Sequence, residues 1–366
     1  MSQPKFTPVV IPAKAGIHLL FSGHNAPCTN TRSFTSLSKP LAERPPHRLL
    51  LIQPGALGDS LLTLPIADSL SKAFPQLSIE ILGHLDYISL FPRHRAVSSV
   101  ADIDTAPLHL LFAEPPGELP AVFADYLARF DAALTWLGQP HSHFCRNLSA
   151  AVAGPVICID RGPPCDYPQH VVHYWLSQLF ENPPLPQQCD YQLRLSNADI
   201  SASSEQLSSR LAWPVDQTEY IIFHPGAGSA QKTWPVPCFA QLASRITEDT
   251  NYRIVYLLGP AETERFDARI ISLLNSTGQV LSDLDIPQAA ALISHSLAFL
   301  GHDSGPTHLA AALSIRTLAI FGPSNPTHWQ PLAPSAQIIS TPNQSPLCSQ
   351  SLTIDGVYDA LQNVLD

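Results

Sequence analysis

Long apolar runs are missing from this chain. No uninterrupted stretch approaches the roughly 18 residues that a membrane-spanning helix needs, which leaves only a peripheral contact with a membrane open. Positive charge is scarce as well: 20 Lys/Arg against 30 Asp/Glu give a formal net charge of −10. That balance argues against nucleic acid as a partner, because neutralising phosphates takes a basic surface. Clustered cysteines are also lacking. The seven present are an odd number with no C-x-x-C pair, so neither a disulfide framework nor a zinc site is indicated, and a reducing cytoplasm fits. What remains is a globular composition, 45% hydrophobic and only 14% charged, able to build sizeable cores. A length of 366 residues suggests two domains of ordinary size. The expected partner is a small molecule or a surface glycan.

Residues 1–45 differ from the rest: they are rich in Ser, Thr, Pro and Lys/Arg, with Glu43 as their only acid. No apolar periodicity persists in them, so they are expected to form a disordered leader. The run IHLLF (Ile17 to Phe21) is too short and too interrupted for a secretory signal. VIPAKAGIH looks like translated bacterial repeat DNA, which would put the native start downstream.

From Arg48 onward, short β-rich runs alternate with helical patterns. LLLIQ (Leu49 to Gln53), SIEILGH (Ser78 to His84), AALTWLG (Ala132 to Gly138) and VICID (Val156 to Asp160) read as buried parallel strands. LLTLPIADSLSKAF (Leu61 to Phe74) reads as the first crossover helix. After the Pro-rich break ENPPLPQQ (Glu181 to Gln188) a second series follows: YIIFH, YRIVYLLG, LAFLG and RTLAIFG, the last ending at Gly322. This is an α/β pattern of two Rossmann-like domains facing a central cleft. Residues 46–185 form the first domain, 186–350 the second, and 351–366 a closing helix expected to pack back on the first.

Each polar cluster falls where a predicted strand ends. QPGALGDS, HPGAG, GPAETER and HDSGPTH follow four different strands, and ligands of open parallel sheets bind beyond the strands' carboxyl ends. Within GHDSGPTHLAAAL (Gly301 to Leu313), Gly305 permits close backbone approach, Pro306 suits a first helical turn, and the alanines allow tight packing. The free amides of that helix start then form an anion site, to which His308 adds a hydrogen bond. The competing reading is that Asp303 and Ser304 merely cap the helix. Gly226, Gly228 and Lys232 of HPGAGSAQKTWP favour the anion, since they converge on the same charge from the other side.

These residues carry a resemblance. HPGAGSAQKTWP, LLGPAETER, GHDSGPTHLAAAL and IFGPSNPTHW, in this order and spacing, resemble the donor-binding half of glycosyltransferase family 9, the lipopolysaccharide heptosyltransferases. LIQPGALGDSLLTLP is similar to the family's amino-terminal motif. The resemblance covers roughly residues 48–366 and implies the glycosyltransferase B fold. It also implies transfer of heptose from ADP-heptose to a glycolipid or glycan acceptor, with inversion, with no required metal and no cofactor. By the same resemblance Asp59 is the catalytic aspartate, Lys232 contacts donor phosphate and Glu262 binds the donor ribose. Asp303, Ser304, Gly305 and His308 belong to the donor-site loop and helix start.

Elementary chemistry agrees with those roles. Inverting transfer needs a base for the acceptor hydroxyl and a positive site for the departing diphosphate. Asp59 supplies the first and Lys232, as a point charge, the second. Blander roles stay open: an N-cap for Asp59, a solvated loop position for Lys232, a dipole-favoured first-turn acid for Glu262. Trp234 and Trp329 receive no ligand role. Two features depart from the family. Ala227 and Gly228 lack hydroxyls where heptosyltransferases can present threonines, and the acceptor half is acidic, with 7 Lys/Arg against 14 Asp/Glu over residues 46–190. Arg93, Arg95 and Arg146 are candidates for a small acceptor-binding patch there. Two other functions fit the same fold: a nucleotide-sugar epimerase, and a non-catalytic nucleotide-sugar-binding protein of glycan assembly.

Overall fold

Eleven strands carry the chain's apolar runs, and all of them pair in parallel. The computed structural model describes Leu41 and residues 45–114, 118–347 and 351–366. The expected leader, apart from Leu41 and Pro45, and Cys348 lie outside the described residues. β1 (Arg48–Gln53), β2 (Ser78–Gly83), β3 (Ser99–Asp102), β4 (Ala132–Thr135) and β5 (Val156–Cys158) form one sheet in the order β3-β2-β1-β4-β5. β6 (Tyr220–His224), β7 (Arg253–Leu257), β8 (Gln279–Leu281), β9 (Ala298–His302), β10 (Thr317–Phe321) and β11 (Ala336–Ser340) form the other, β11-β10-β9-β6-β7-β8. Both orders reverse direction beside the first strand of their half, at β1/β4 and at β6/β9. A crevice opens at such a switch point.

Central strands are buried on both faces, as parallel sheets flanked by helices must be: Leu49, Leu50, Leu51 and Ile52, like Ile221, Ile222 and Phe223, are fully covered. One apolar core includes residues of both domains. Leu57 and Leu61 from the first join Leu309, Ala310, Ala311 and Ala312 from the second. At that seam a Cβ on Gly305 would sit 2.9 Å from Cβ of Leu57, so the glycine is what lets the two helix starts meet. The linker strengthens the join. Asp68, almost fully buried, holds the amide of Asp190 at 2.8 Å, and Leu193 N donates to the Ala312 carbonyl at 2.9 Å.

Three expectations change. The first crossover helix, Leu64–Ala73, starts at Leu64 and not at Leu61, and a separate short helix, Leu57–Leu61, precedes it, because Pro65 in the first turn of the second has no N–H to continue the ladder. The closing helix, Ile354–Leu365, does not return to the first domain. Its apolar face, Val357, Leu361 and Val364, completes a core on the second sheet with Leu242, Ile246 and Leu318, and Arg245 pairs with Asp355 at 2.5 Å. Third, Cys145 in the helix His143–Ala151 and Cys158 at the end of β5 form a disulfide; sequence spacing gave no hint that two such elements pack together. No helix among the described residues is long and apolar enough to cross a membrane.

Candidate functional site

The carboxyl ends of β1, β6, β7 and β9 face a cleft of about 760 Å³ between the domains. Asp59, Gly228, Lys232, Glu262, Asp303, Ser304, Gly305 and His308 all line it. Gly226 lies just behind, where it borders a smaller cavity of about 250 Å³ with Glu262 and Arg265.

Asp59 comes from the first domain, in the first turn of the helix Leu57–Leu61. Ala56 occupies the N-cap position of that helix, and no side chain caps it, so the capping role open to Asp59 in sequence is not the one it plays. Asp59 is exposed to solvent at the cleft, although protein atoms crowd its carboxyl. Burial first, then the nearby charge of Asp303, push its pKa above 3.8, against the opposing pull of Arg161 and Lys232. A carboxylate so destabilised is a better proton acceptor.

On the opposite wall Lys232 Nζ pairs with Asp303 Oδ2 at 2.8 Å. Asp303 therefore serves the lysine and not the helix. Ser304 stands at the N-cap position of Gly305–Ala312 but makes no side-chain cap bond; its hydroxyl turns to the His302 carbonyl and to Thr307. The first turn thus keeps free amides toward the cleft, an arrangement that attracts an anion. His308 is buried, and burial lowers its pKa, so it adds no positive charge at neutral pH. Its Nδ1 lies 3.1 Å from the Tyr191 hydroxyl of the linker. Glu262 is 4% exposed and accepts from the Gly259 amide at 2.9 Å, with its other oxygen pressed on Gly226, where any Cβ would overlap it. It closes its own helix start and lines the cleft at once.

His302 is the support that sequence reasoning passed over. It is fully buried at the end of β9, accepts from the Trp234 amide through Nε2 at 2.8 Å, and donates from Nδ1 to the Gly226 carbonyl at 2.9 Å. Both ends of the Gly-rich loop hang on one imidazole, whose pKa burial depresses to about 3. Arg161, directly after β5, and Tyr87, after β2, were also passed over; their places beyond strand ends were the available signal. Trp329, given no ligand role, lines the cleft, whereas Trp234 is a fully buried anchor donating to the Leu352 carbonyl at 2.9 Å.

The proposed acceptor patch does not assemble. Arg93 pairs with Asp199 at 2.6 Å, and Arg95 with Asp68 at 2.5 Å and Asp190 at 3.1 Å, which ties them to the linker. Arg146 donates to the His141 carbonyl at 2.7 Å. None of the three lines the cleft. In a half-chain with surplus acid, carboxylates and carbonyls take up the few guanidinium groups.

The family model described as glycosyltransferase family 9 (heptosyltransferase) matches residues 132–356, more than half of the chain. Lipopolysaccharide heptosyltransferase 2 of Escherichia coli K12 is 34% identical over 155 residues, 40% of this chain and 42% of that protein. The match thus spans less than half the length of that relative. Lipopolysaccharide heptosyltransferase 1 of Pseudomonas aeruginosa is 27% identical over 295 residues, 76% of this chain and 79% of its own. Among solved structures, E. coli ADP-heptose LPS heptosyltransferase II superposes with a TM-score of 0.66 at 20% identity, over 87% of this chain and 98% of that one. E. coli heptosyltransferase WaaC with ADP gives 0.63 at 21%, over 87% and 99%. Both carry the glycosyltransferase B fold expected from sequence.

Proposed function

The chain belongs to glycosyltransferase family 9, and from that membership we propose that it moves a heptose, or a closely related sugar, from an ADP-linked donor to a lipopolysaccharide core or another surface glycan. The diphosphate sits between Lys232 and the amides at the start of the Gly305 helix, and Glu262 takes the ribose. Asp59 accepts the proton of an acceptor hydroxyl as that oxygen bonds to the anomeric carbon. The bond from that carbon to the diphosphate breaks on the opposite face, and ADP leaves with the electron pair. The anomeric centre is inverted, and Lys232, not a metal ion, meets the developing charge.

One observation carries this reading: Asp59 and the Lys232–Asp303 pair stand on facing domains of a single cleft, close enough that both charges shift the Asp59 pKa. A screen against ADP-, UDP-, GDP- and dTDP-sugars tests it, since a ligand bound by the folded state alone raises apparent stability by mass action. ADP-sugars are expected to raise the melting temperature most. Equal or greater stabilisation by a uridine or guanosine sugar would overturn the donor assignment. Donor incubated without acceptor should stay intact; conversion of its sugar with the diphosphate retained would mark an epimerase.

A further inference from the structure

Two sets of contacts fix how the sheet ends face each other. On one flank, His170 accepts from the Val172 amide through Nδ1, so its Nε2 carries a proton and donates to the Gln330 carbonyl at 2.9 Å. His328 returns the contact, donating from Nε2 to the Tyr167 carbonyl at 2.7 Å. The segment after β5 therefore faces the segment after β10. In the middle, Gly305 abuts Leu57 and His308 abuts Gly58, so the segment after β1 faces the one after β9. The first sheet runs β5-β4-β1-β2 and the second β10-β9-β6-β7-β8. The segment after β2 comes next along the first sheet, and its Tyr87 lines the same cleft as Glu262, Leu284, Ile286 and Ala289.

The second-domain wall there holds Glu262 after β7, then Leu284, Ile286 and Ala289 after β8, with no hydrogen-bonding side chain among the last three. Phosphates at β6/β9 and ribose at β7 leave this apolar stretch for the base. Tyr87, in the short helix Leu85–Ile88, lines the same cleft from the first domain. It is half-buried against the core the two domains share, and its ring meets His84 edge-on, centroids 5.8 Å apart. Its hydroxyl has no hydrogen-bond partner among the described residues.

We infer that Tyr87 lies against the nucleoside of the donor, so that the base site is built from both domains and is complete only when they are closed. The inference rests on the donor reading above. It makes Tyr87 a specificity-determining residue supplied by the acceptor half, with a ring to cover the base and a free hydroxyl for the base edge or the ribose.

The test titrates ADP by calorimetry, and inorganic diphosphate by competition, into the full-length wild type, Tyr87→Ala and Tyr87→Phe, with melting temperatures alongside. Tyr87→Ala should weaken ADP about 5- to 100-fold, the scale for removing an aromatic ring from a base, while inorganic diphosphate binds as in the wild type. Tyr87→Phe should retain most of the ADP affinity. Unchanged ADP affinity in Tyr87→Ala overturns the inference and leaves the donor reading standing. So does an equal loss for ADP and inorganic diphosphate, which would place the effect on domain closure. A wild type that binds no nucleoside diphosphate overturns both.

Discussion

Replacing His302 with leucine removes one imidazole and strands two backbone groups. The ring lies in β9 with no exposed surface, taking the Trp234 N–H at 2.8 Å and giving a proton to the Gly226 carbonyl at 2.9 Å. In His302→Leu both main-chain groups stay buried without partners. At about 1–3 kcal/mol each, the penalty is about 2–6 kcal/mol at pH 7.5. The loop so released carries Gly226, Gly228 and Lys232, so ADP affinity should fall with stability. A second signature is particular to a neutral buried histidine. In the unfolded chain His302 titrates at its ordinary 6.5, and in the fold at about 3. Below pH 6.5 the unfolded state therefore binds the extra proton, and the stability this histidine lends, fully present above 6.5, is lost at about 1.4 kcal/mol per pH unit down to pH 3. The leucine variant has no such loss. The gap in urea midpoint between wild type and variant should thus be widest near pH 7.5 and shrink steadily below 6.5. His170, also pushed down to about 3, keeps its own slope in both proteins. Urea unfolding at a series of pH values, with ADP calorimetry at pH 7.5, measures all of this. A negligible penalty, or a gap that does not change with pH, would refute the tie.

Gly305→Ala should lower turnover and ADP affinity while each domain stays folded, because its Cβ would stand 2.9 Å from Cβ of Leu57 and shift the two helix starts apart; kinetics and ADP calorimetry, with the melting temperature alongside, check it. Lys232→Ala should weaken ADP by ~1–3 kcal/mol as a lost charge-assisted hydrogen bond, and by more where the freed Asp303 repels the diphosphate. Lys232→Ala with Asp303→Asn should then bind ADP better than Lys232→Ala alone in the same calorimeter. With its pKa held above 3.8, Asp59 should give kcat/KM an acid limb: activity falls with falling pH as the carboxylate is protonated, and Asp59→Asn should flatten that limb.

The sheets were legible where strands are central, because Leu49 to Ile52 and Ile221 to Phe223 are covered on both faces and read as unbroken apolar runs. β3, β8 and β11 are edge strands with mostly half-covered residues, and in sequence they do not stand out from loops. The residues that line the cleft were legible because a Gly-rich loop and a helix start need particular residues at fixed spacing. His302 was not, since a buried histidine tying two loop ends looks in sequence like one more polar residue of a ligand cluster. Arg93 and Arg95 misled for the opposite reason. Isolated basic residues in an acidic domain suggest an anion site, but their partners, Asp199 and Asp190, come from the linker and the helix after it, far along the chain. The Cys145–Cys158 pairing and the seat of the closing helix likewise depend on how elements pack, which no local pattern encodes.

Asp59 as the base of a sugar transfer is most directly tested by single-variant kinetics with ADP-heptose and a competent acceptor, following ADP release and product mass for wild type and Asp59→Asn. Asparagine keeps the shape and much of the polarity but cannot accept the proton. Turnover should fall by ~10²–10⁴-fold, the usual scale of general base catalysis, with ADP affinity and melting temperature nearly unchanged. Near-normal turnover in a folded Asp59→Asn protein would contradict the assignment.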